Sequence, residues 1–161
     1  MPLPEARGRD RPVRAVAQRV RKASVYVDEE TVGAIGQGLL VYLGAGREDD
    51  HTDVDVMVRK LAGLRIFEDD AGKMSRCVVD VGGEVLVVPQ FTLYGDVRRG
   101  RRPSFAQACP PPEAERLYDR VVAGLRGRGL SVATGRFRAT MRVDASVWGP
   151  VTILIDSHKT F

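Results

Sequence analysis

The chain has 161 residues, 43% of them hydrophobic and 29% charged, with 25 Lys and Arg against 21 Asp and Glu for a net charge of +4. That size and balance suit one soluble globular domain and exclude a wholly disordered chain. The longest apolar runs, Gly38–Gly46 and Val85–Pro89, fall far short of the ~20 residues that a membrane-spanning helix needs. No charged start followed by an apolar stretch reads as a signal peptide, so the expectation is a cytoplasmic protein with no membrane partner.

Residues 1–12, MPLPEARGRDRP, mix prolines and charges without an apolar period and read as a disordered extension; a single domain is expected over 13–161. Val13–Val20 alternates as a strand, and Ser24–Asp28 continues the β signal. Glu29–Glu30 turns the chain and Thr31–Ile35 pairs back. Gly38–Gly46 is apolar at nearly every position, the pattern of a central strand. Thr52 and Asp55 then resemble a capping box ahead of a helical stripe of Val54, Met57, Val58, Leu61 and Ala62.

Arg65–Phe67 reads as a short strand and Asp69–Lys73 as a turn. Val78–Val81 and Glu84–Val88, joined by Gly82–Gly83, predict a β-hairpin. Arg98–Arg102 is a basic loop. Pro110–Pro112 opens a second helix whose apolar face carries Ala114, Leu117, Tyr118, Val121, Val122 and Leu125. Leu130–Thr134, Met141–Val147 and Val151–Asp156 are the last strands. The sum is a single-domain α+β fold, a mostly antiparallel, curved or barrel-like sheet with two main helices.

Several chemistries lack their residues. Cys77 and Cys109 are too few and too far apart for a disulfide framework, and His51 and His158 sit in no metal-ligand spacing, so neither a metal nor another cofactor is expected. Phosphate-binding GxxxxGK, dinucleotide-binding GxGxxG and the GxSxG nucleophile elbow are absent.

Three stretches remain. In Pro89–Gln90–Phe91–Thr92 a proline must end or edge a strand, and an amide and a hydroxyl follow beside backbone N–H groups that could stabilise an oxyanion. Val147–Trp148–Gly149–Pro150–Val151–Thr152 interrupts two β-like runs, and residue types alone make it a turn. Arg98, Arg99, Arg101 and Arg102 are either a solvated loop or a grip for phosphates. Residue chemistry alone ends at a domain that could bind a phosphate polymer, without an obvious nucleophile.

The segments Arg14–Val20, Gly38–Gly44, Lys60–Met74, Val81–Phe105 and Gly149–Ser157 resemble the D-aminoacyl-tRNA deacylases, and the likeness runs from about Val13 to Ser157. The resemblance implies a homodimer that hydrolyses the ester joining a D-amino acid, or glycine, to the terminal ribose of tRNA. It implies glycyl-tRNA mischarged on tRNA-Ala as a further substrate, and hence a role in chiral proofreading of translation. The family motifs Ser-Gln-x-Thr and Asn-x-Gly-Pro-x-Thr fall on Pro89–Thr92 and Val147–Thr152, with Pro89 in place of Ser and Val147 in place of Asn.

By the same resemblance, backbone N–H groups near Gln90 and Phe91 stabilise the oxyanion. Thr92 positions the substrate, and the ribose 2′-hydroxyl helps to activate the water. Gly149–Pro150, in cis, enters the active site of the other subunit and excludes an L side chain, with Arg19 locking it and Thr152 in support. The four arginines are expected to hold tRNA. A Pro-Gln-x-Thr motif also marks an animal-type relative of broader selectivity, which keeps open a relaxed enzyme that removes L-Ala. A non-catalytic tRNA-binding module and a small-molecule ester hydrolase are the other open readings.

Overall fold

A computed structural model of the chain describes residues 12–46 and 51–161. Its strands are β1 (Arg14–Val27), β2 (Glu30–Ile35), β3 (Gly38–Gly44), β4 (Phe67–Glu68), β5 (Met74–Arg76), β6 (Glu84–Pro89), β7 (Val132–Thr134) and β8 (Arg142–Asp156). Helix α1 spans His51–Gly63, helix α2 spans Pro111–Gly127, and a 3-10 turn covers Phe91–Tyr94. The expected extension lies almost wholly outside the described residues, but Pro12 is buried and its carbonyl accepts the Tyr94 hydroxyl.

The main sheet runs β2-β1-β3-β6-β7, with β8 along the other edge of β1. Strand β1 is the spine. It pairs antiparallel with β3 over Arg14–Val20, with β2 over Ala23–Val27, and with β8 from Arg14 to Tyr26. The result is the expected α+β fold with a barrel-like sheet, but β3–β6 and β6–β7 are parallel, which makes the sheet mixed.

That parallel pairing corrects the hairpin reading of Val78–Val88. Val78–Val81 is a turn, closed by the N–H of Gly82 on the Val79 carbonyl at 3.1 Å and of Gly83 on the Val78 carbonyl at 2.9 Å. Strand β6 is buried on both faces from Val85 to Val88, so its unbroken apolar run marks a central strand and not one arm of a hairpin. The last two predicted strands are also one. Strand β8 continues through Gly149–Pro150, whose peptide bond is cis. Arg65 and Ile66 precede the short strand, which is β4 paired with β5, and helix α1 is already helical at His51, ahead of Thr52.

Two apolar clusters occupy the two faces of the sheet. Leu39, Val41, Leu43, Val85 and Val87 face the helices, packed against Met57, Leu61, Leu117 and Leu125. Leu40, Leu86 and Val88 face the opposite way, with Val20, Val25 and Ile35. Odd-numbered residues of β1 up to Ala17 join the helix-side cluster, whereas Ala23 and Val25 join the other. The side-chain phase of β1 therefore flips between Ala17 and Ala23, as a β-bulge produces. The irregularities lie at Arg19 and Arg21.

Candidate active site

Strand β6 ends where Pro89 sits opposite Leu43 of β3. The next residue stays in the ladder, because the Gln90 N–H donates to the Leu43 carbonyl at 2.8 Å. The chain then winds into the 3-10 turn, whose own bonds begin with the Leu93 N–H on the Gln90 carbonyl at 3.4 Å. The N–H groups of Phe91 and Thr92 therefore have no partner within the turn. Of the backbone N–H groups expected near Gln90 and Phe91, that of Gln90 is already used by β3.

The turn is held from below. Tyr94 is buried and its hydroxyl donates to the Gly44 carbonyl at 2.9 Å and to that of Pro12. Gly44 permits the approach, since a Cβ there would lie 2.8 Å from the Gln90 carbonyl oxygen and 2.8 Å from the Tyr94 ring. Above, the Gln90 side-chain amide donates to the Thr92 hydroxyl. Phe91 and Phe105 meet edge to face with ring centroids 5.1 Å apart.

These groups open onto a cleft of ≈ 930 Å³ that runs between the end of β6, the start of α2 and residues 137–143. Its walls are mostly apolar, with Pro89, Phe105, Phe137 and Met141 among them. The Tyr118 hydroxyl donates to the Val87 carbonyl at 2.6 Å, and burial pushes that phenol well above its ordinary pKa, so it stays protonated. No group of three or more His, Cys, Asp or Glu able to hold a metal occurs among the described residues.

The second motif is elsewhere. Neither Gly149 nor Pro150 lines the cleft; both are exposed on β8, beside a smaller recess formed by Arg19, Val20, Arg21, Gln37 and Trp148. Arg19 is buried, and its Nε donates to the Trp148 carbonyl at 3.1 Å while its Nη1 donates to that of Ile66 at 2.8 Å. Gly149 has φ 125°, and a Cβ there would lie 3.0 Å from Arg19 Nη2. Val147 packs with the β-side cluster opposite Val20, which accounts for an apolar residue at that position. The Thr152 hydroxyl accepts a hydrogen bond from the Gln18 amide at 3.3 Å.

The basic loop divides. Arg98 forks onto Asp96, with Nη2 to Oδ2 at 2.7 Å and Nε to Oδ1 at 2.9 Å, and these bonds hold the Asp96 carboxyl down to about pKa 2. Among the described residues no carboxylate pairs with Arg99, Arg101 or Arg102, and all three are exposed.

Residues 16–156 match the family model described as D-Tyr-tRNA(Tyr) deacylase. The chain belongs to that family. A D-aminoacyl-tRNA deacylase of Sorangium cellulosum is 61% identical over 92% of this deacylase and the whole of the relative. One from Thermotoga petrophila is 57% identical with the same coverage. The solved structure of c-Myc DNA Unwinding Element Binding Protein overlays with TM-score 0.83 and 42% identity, covering 88% of this chain and 97% of that one. A probable eukaryotic D-amino acid tRNA deacylase shares the fold at TM-score 0.79 and 21% identity, over 89% and 98% of the two chains.

Three residues beside the two motifs escape the sequence reading. No residue pattern singles out Tyr94, whose contact with Gly44 joins positions 50 apart along the chain. Phe105 lies outside any periodic element. Arg21 falls between the two predicted strands Val13–Val20 and Ser24–Asp28, yet its guanidinium carbon lies 3.3 Å from the centroid of the Trp148 ring.

Proposed function

We propose that the deacylase hydrolyses D-aminoacyl-tRNA in the cleft at the end of β6. Water adds to the carbonyl carbon of the aminoacyl ester, and the oxygen that becomes negative is met by the N–H groups of Phe91 and Thr92. The bond to the ribose oxygen then breaks, that oxygen takes a proton, and free D-amino acid and tRNA leave. The ester is already activated, so orientation and oxyanion stabilisation suffice without a strong nucleophile. The observation that carries this reading is the pair of backbone donors at the mouth of an apolar cleft, held in place by buried Tyr94.

Thr92 acts as a positioning group. Its hydroxyl accepts from the Gln90 amide, and no basic side chain among the described residues reaches it to take its proton. The 2′-hydroxyl of the substrate ribose takes the part of activating the water.

The site is completed by a second copy of the chain, whose Gly149–Pro150 enters the cleft and meets the substrate α-carbon with main-chain atoms. Support comes from the separation of the two motifs within one copy and from the exposed apolar surface on both sides. Trp148 and Leu154 of β8 are 49% and 58% exposed, and Phe91 at the cleft is 58% exposed. A main-chain wall rejects an L side chain by collision and is indifferent to which D side chain is present. Glycine on tRNA-Ala has no side chain to reject and is accepted. Arg99, Arg101 and Arg102 contact acceptor-stem phosphates, with Arg98 contributing less because Asp96 already holds it.

The test is hydrolysis of tRNA charged with D-Tyr, L-Tyr, glycine and L-Ala. Rapid release of D-Tyr and glycine with L-Tyr retained is the expected result. Equal release of D- and L-Tyr would contradict it, and brisk release of L-Ala would place the chain with the relaxed enzymes that share its Pro89.

A further inference from the structure

Strands β1 and β8 pair in register from Arg14↔Asp156 to Gln18↔Thr152, and again from Lys22↔Ser146 to Tyr26↔Arg142. Between these stretches the ladder breaks twice. Gln18↔Thr152 is followed by Val20↔Val147, so Arg19 alone stands opposite the four residues Trp148–Val151. Val20↔Val147 is followed by Lys22↔Ser146, so Arg21 stands opposite none. The first irregularity pushes Trp148–Val151 out of the sheet. The second, two residues later at Arg21, is a bulge on the facing strand, and bulges re-aim side chains.

The bulge has a visible product. Arg19 is buried under the excursion and grips the Trp148 carbonyl, whereas Arg21 is exposed and covers the Trp148 ring from 3.3 Å. Residue 148 is thus held twice, once through its main chain and once through its side chain, by two arginines two positions apart. Without the bulge, residues 19 and 21 would project from the same face of β1, and Arg21 would be directed inward with Arg19. A guanidinium held over an indole is a directional contact, and it fixes the residue immediately before Gly149.

We propose that Arg21 and Trp148 form a clamp that positions Gly149–Pro150 for the reaction and so helps to set the preference for D over L substrates. This deepens the reading of Gly149–Pro150 given above and rests on it. Arg19 fixes the height of the excursion above the sheet. Arg21 fixes its lateral tilt, which a single bond to the Trp148 carbonyl leaves free. Arg21 is a positioning residue and does not touch the substrate.

The experiment uses the full chain and four variants, Arg21→Ala, Arg21→Lys, Trp148→Phe and Pro150→Ala, with D-Tyr-tRNA and L-Tyr-tRNA as substrates. Trp148 is the only tryptophan of the chain, so its fluorescence reports the clamp directly. Arg21→Ala is expected to make Trp148 more accessible to acrylamide and to cut the ratio of D to L hydrolysis about tenfold or more, since misplacement by an ångström is that costly. The KM for tRNA stays within twofold. Arg21→Lys recovers part of the ratio, and Trp148→Phe, which keeps a ring under Arg21, keeps most of it.

An exposed Trp148 in Arg21→Ala with kcat and the D to L ratio intact, while Pro150→Ala loses both, overturns the clamp and leaves the Gly149–Pro150 reading standing. A raised KM with unchanged kcat also overturns it and makes Arg21 an RNA contact. If Pro150→Ala keeps the full ratio, the Gly149–Pro150 reading fails and the clamp fails with it. Should Arg21→Ala not fold, Trp148→Ala against Trp148→Phe tests the pair from the other side: loss of the ratio in the first alone supports the clamp, and retention in both overturns it.

Discussion

Two prolines interrupt β structure in this deacylase, and they do so in opposite ways. Pro89 ends β6, a strand buried on both faces, and the turn that follows is pinned to β3 by the Gln90 N–H on the Leu43 carbonyl and by the buried Tyr94 hydroxyl on the Gly44 carbonyl. Pro150 lies inside β8, whose outer edge has no partner strand among the described residues, and the chain bows out and returns to register two residues later. The first arrangement produces fixed backbone donors backed by core packing. The second produces exposed main chain held by arginine side chains. A change at the first should cost stability and catalysis together, whereas a change at the second should cost selectivity more than stability.

The largest effect is expected at the first region. In Gly44→Ala the new Cβ meets the Gln90 carbonyl and the Tyr94 ring at 2.8 Å, so the turn must shift. Loss of about 10²-fold or more in kcat is expected from such a displacement, together with a lower Tm. Steady-state hydrolysis of D-Tyr-tRNA and a melting curve check both.

Arg19→Ala sharpens the comparison from the other side. It leaves the buried Ile66 carbonyl without its donor at a cost of about 1–3 kcal/mol. It also removes the donor that holds the Trp148 carbonyl, leaving the ring under Arg21. The D to L ratio should fall further than the rate on D-Tyr-tRNA. A rate that collapses while the ratio holds would break the proposed division of labour.

Thr92→Ala is expected to keep measurable hydrolysis, reduced about tenfold or more, because in the proposed mechanism the hydroxyl only positions the reacting groups. Complete loss, with a covalent aminoacyl-enzyme trapped in the wild type, would make Thr92 the nucleophile instead.

The smallest effects belong to the basic loop. Arg101→Ala should raise KM and reduce the salt slope of tRNA binding by about one ion contact, with kcat unchanged. Arg98→Ala should do less, because Asp96 already occupies its guanidinium. The carboxyl of Asp96 titrates near 2, below its ordinary value, so the pairing is complete above about pH 4 and is lost only as pH falls toward 2. Binding measured between pH 5 and 8 should show no step from this pair.

How far the sequence reveals each region follows from the range of its interactions. The face of α2 and the spine strand β1 are legible because their periods of 3.6 and 2 express burial of one side. The partner of β6 is not legible that way. Gly82–Gly83 satisfies a hairpin turn and a crossover end equally well, and only the continuous apolar run favours the parallel pairing that exists. The bulge of β1 at Arg21 leaves only the trace of two arginines, Arg19 and Arg21, interrupting an odd-residue alternation that runs in one phase from Ala15 to Val25. That trace does not say which partner each arginine finds. The sequence motifs around Gln90 and Gly149 stand out through resemblance; the anchor Tyr94 and the stack of Arg21 on Trp148 come from contacts 50 and 127 positions apart along the chain.

The division between a rigid catalytic turn and an arginine-held excursion is tested most directly by mixing two crippled proteins. Gly44→Ala disables the turn and Gly149→Ala, whose Cβ would lie 2.8 Å from the Val151 side chain, disables the excursion. Each alone should hydrolyse D-Tyr-tRNA poorly. If the site is built from two copies as proposed, unfolding and refolding the two together gives mixed dimers in which one site has an intact turn facing an intact excursion, and hydrolysis of D-Tyr-tRNA with discrimination against L-Tyr-tRNA should return in part. Activity that stays at the sum of the two separate proteins would contradict a site built from both copies.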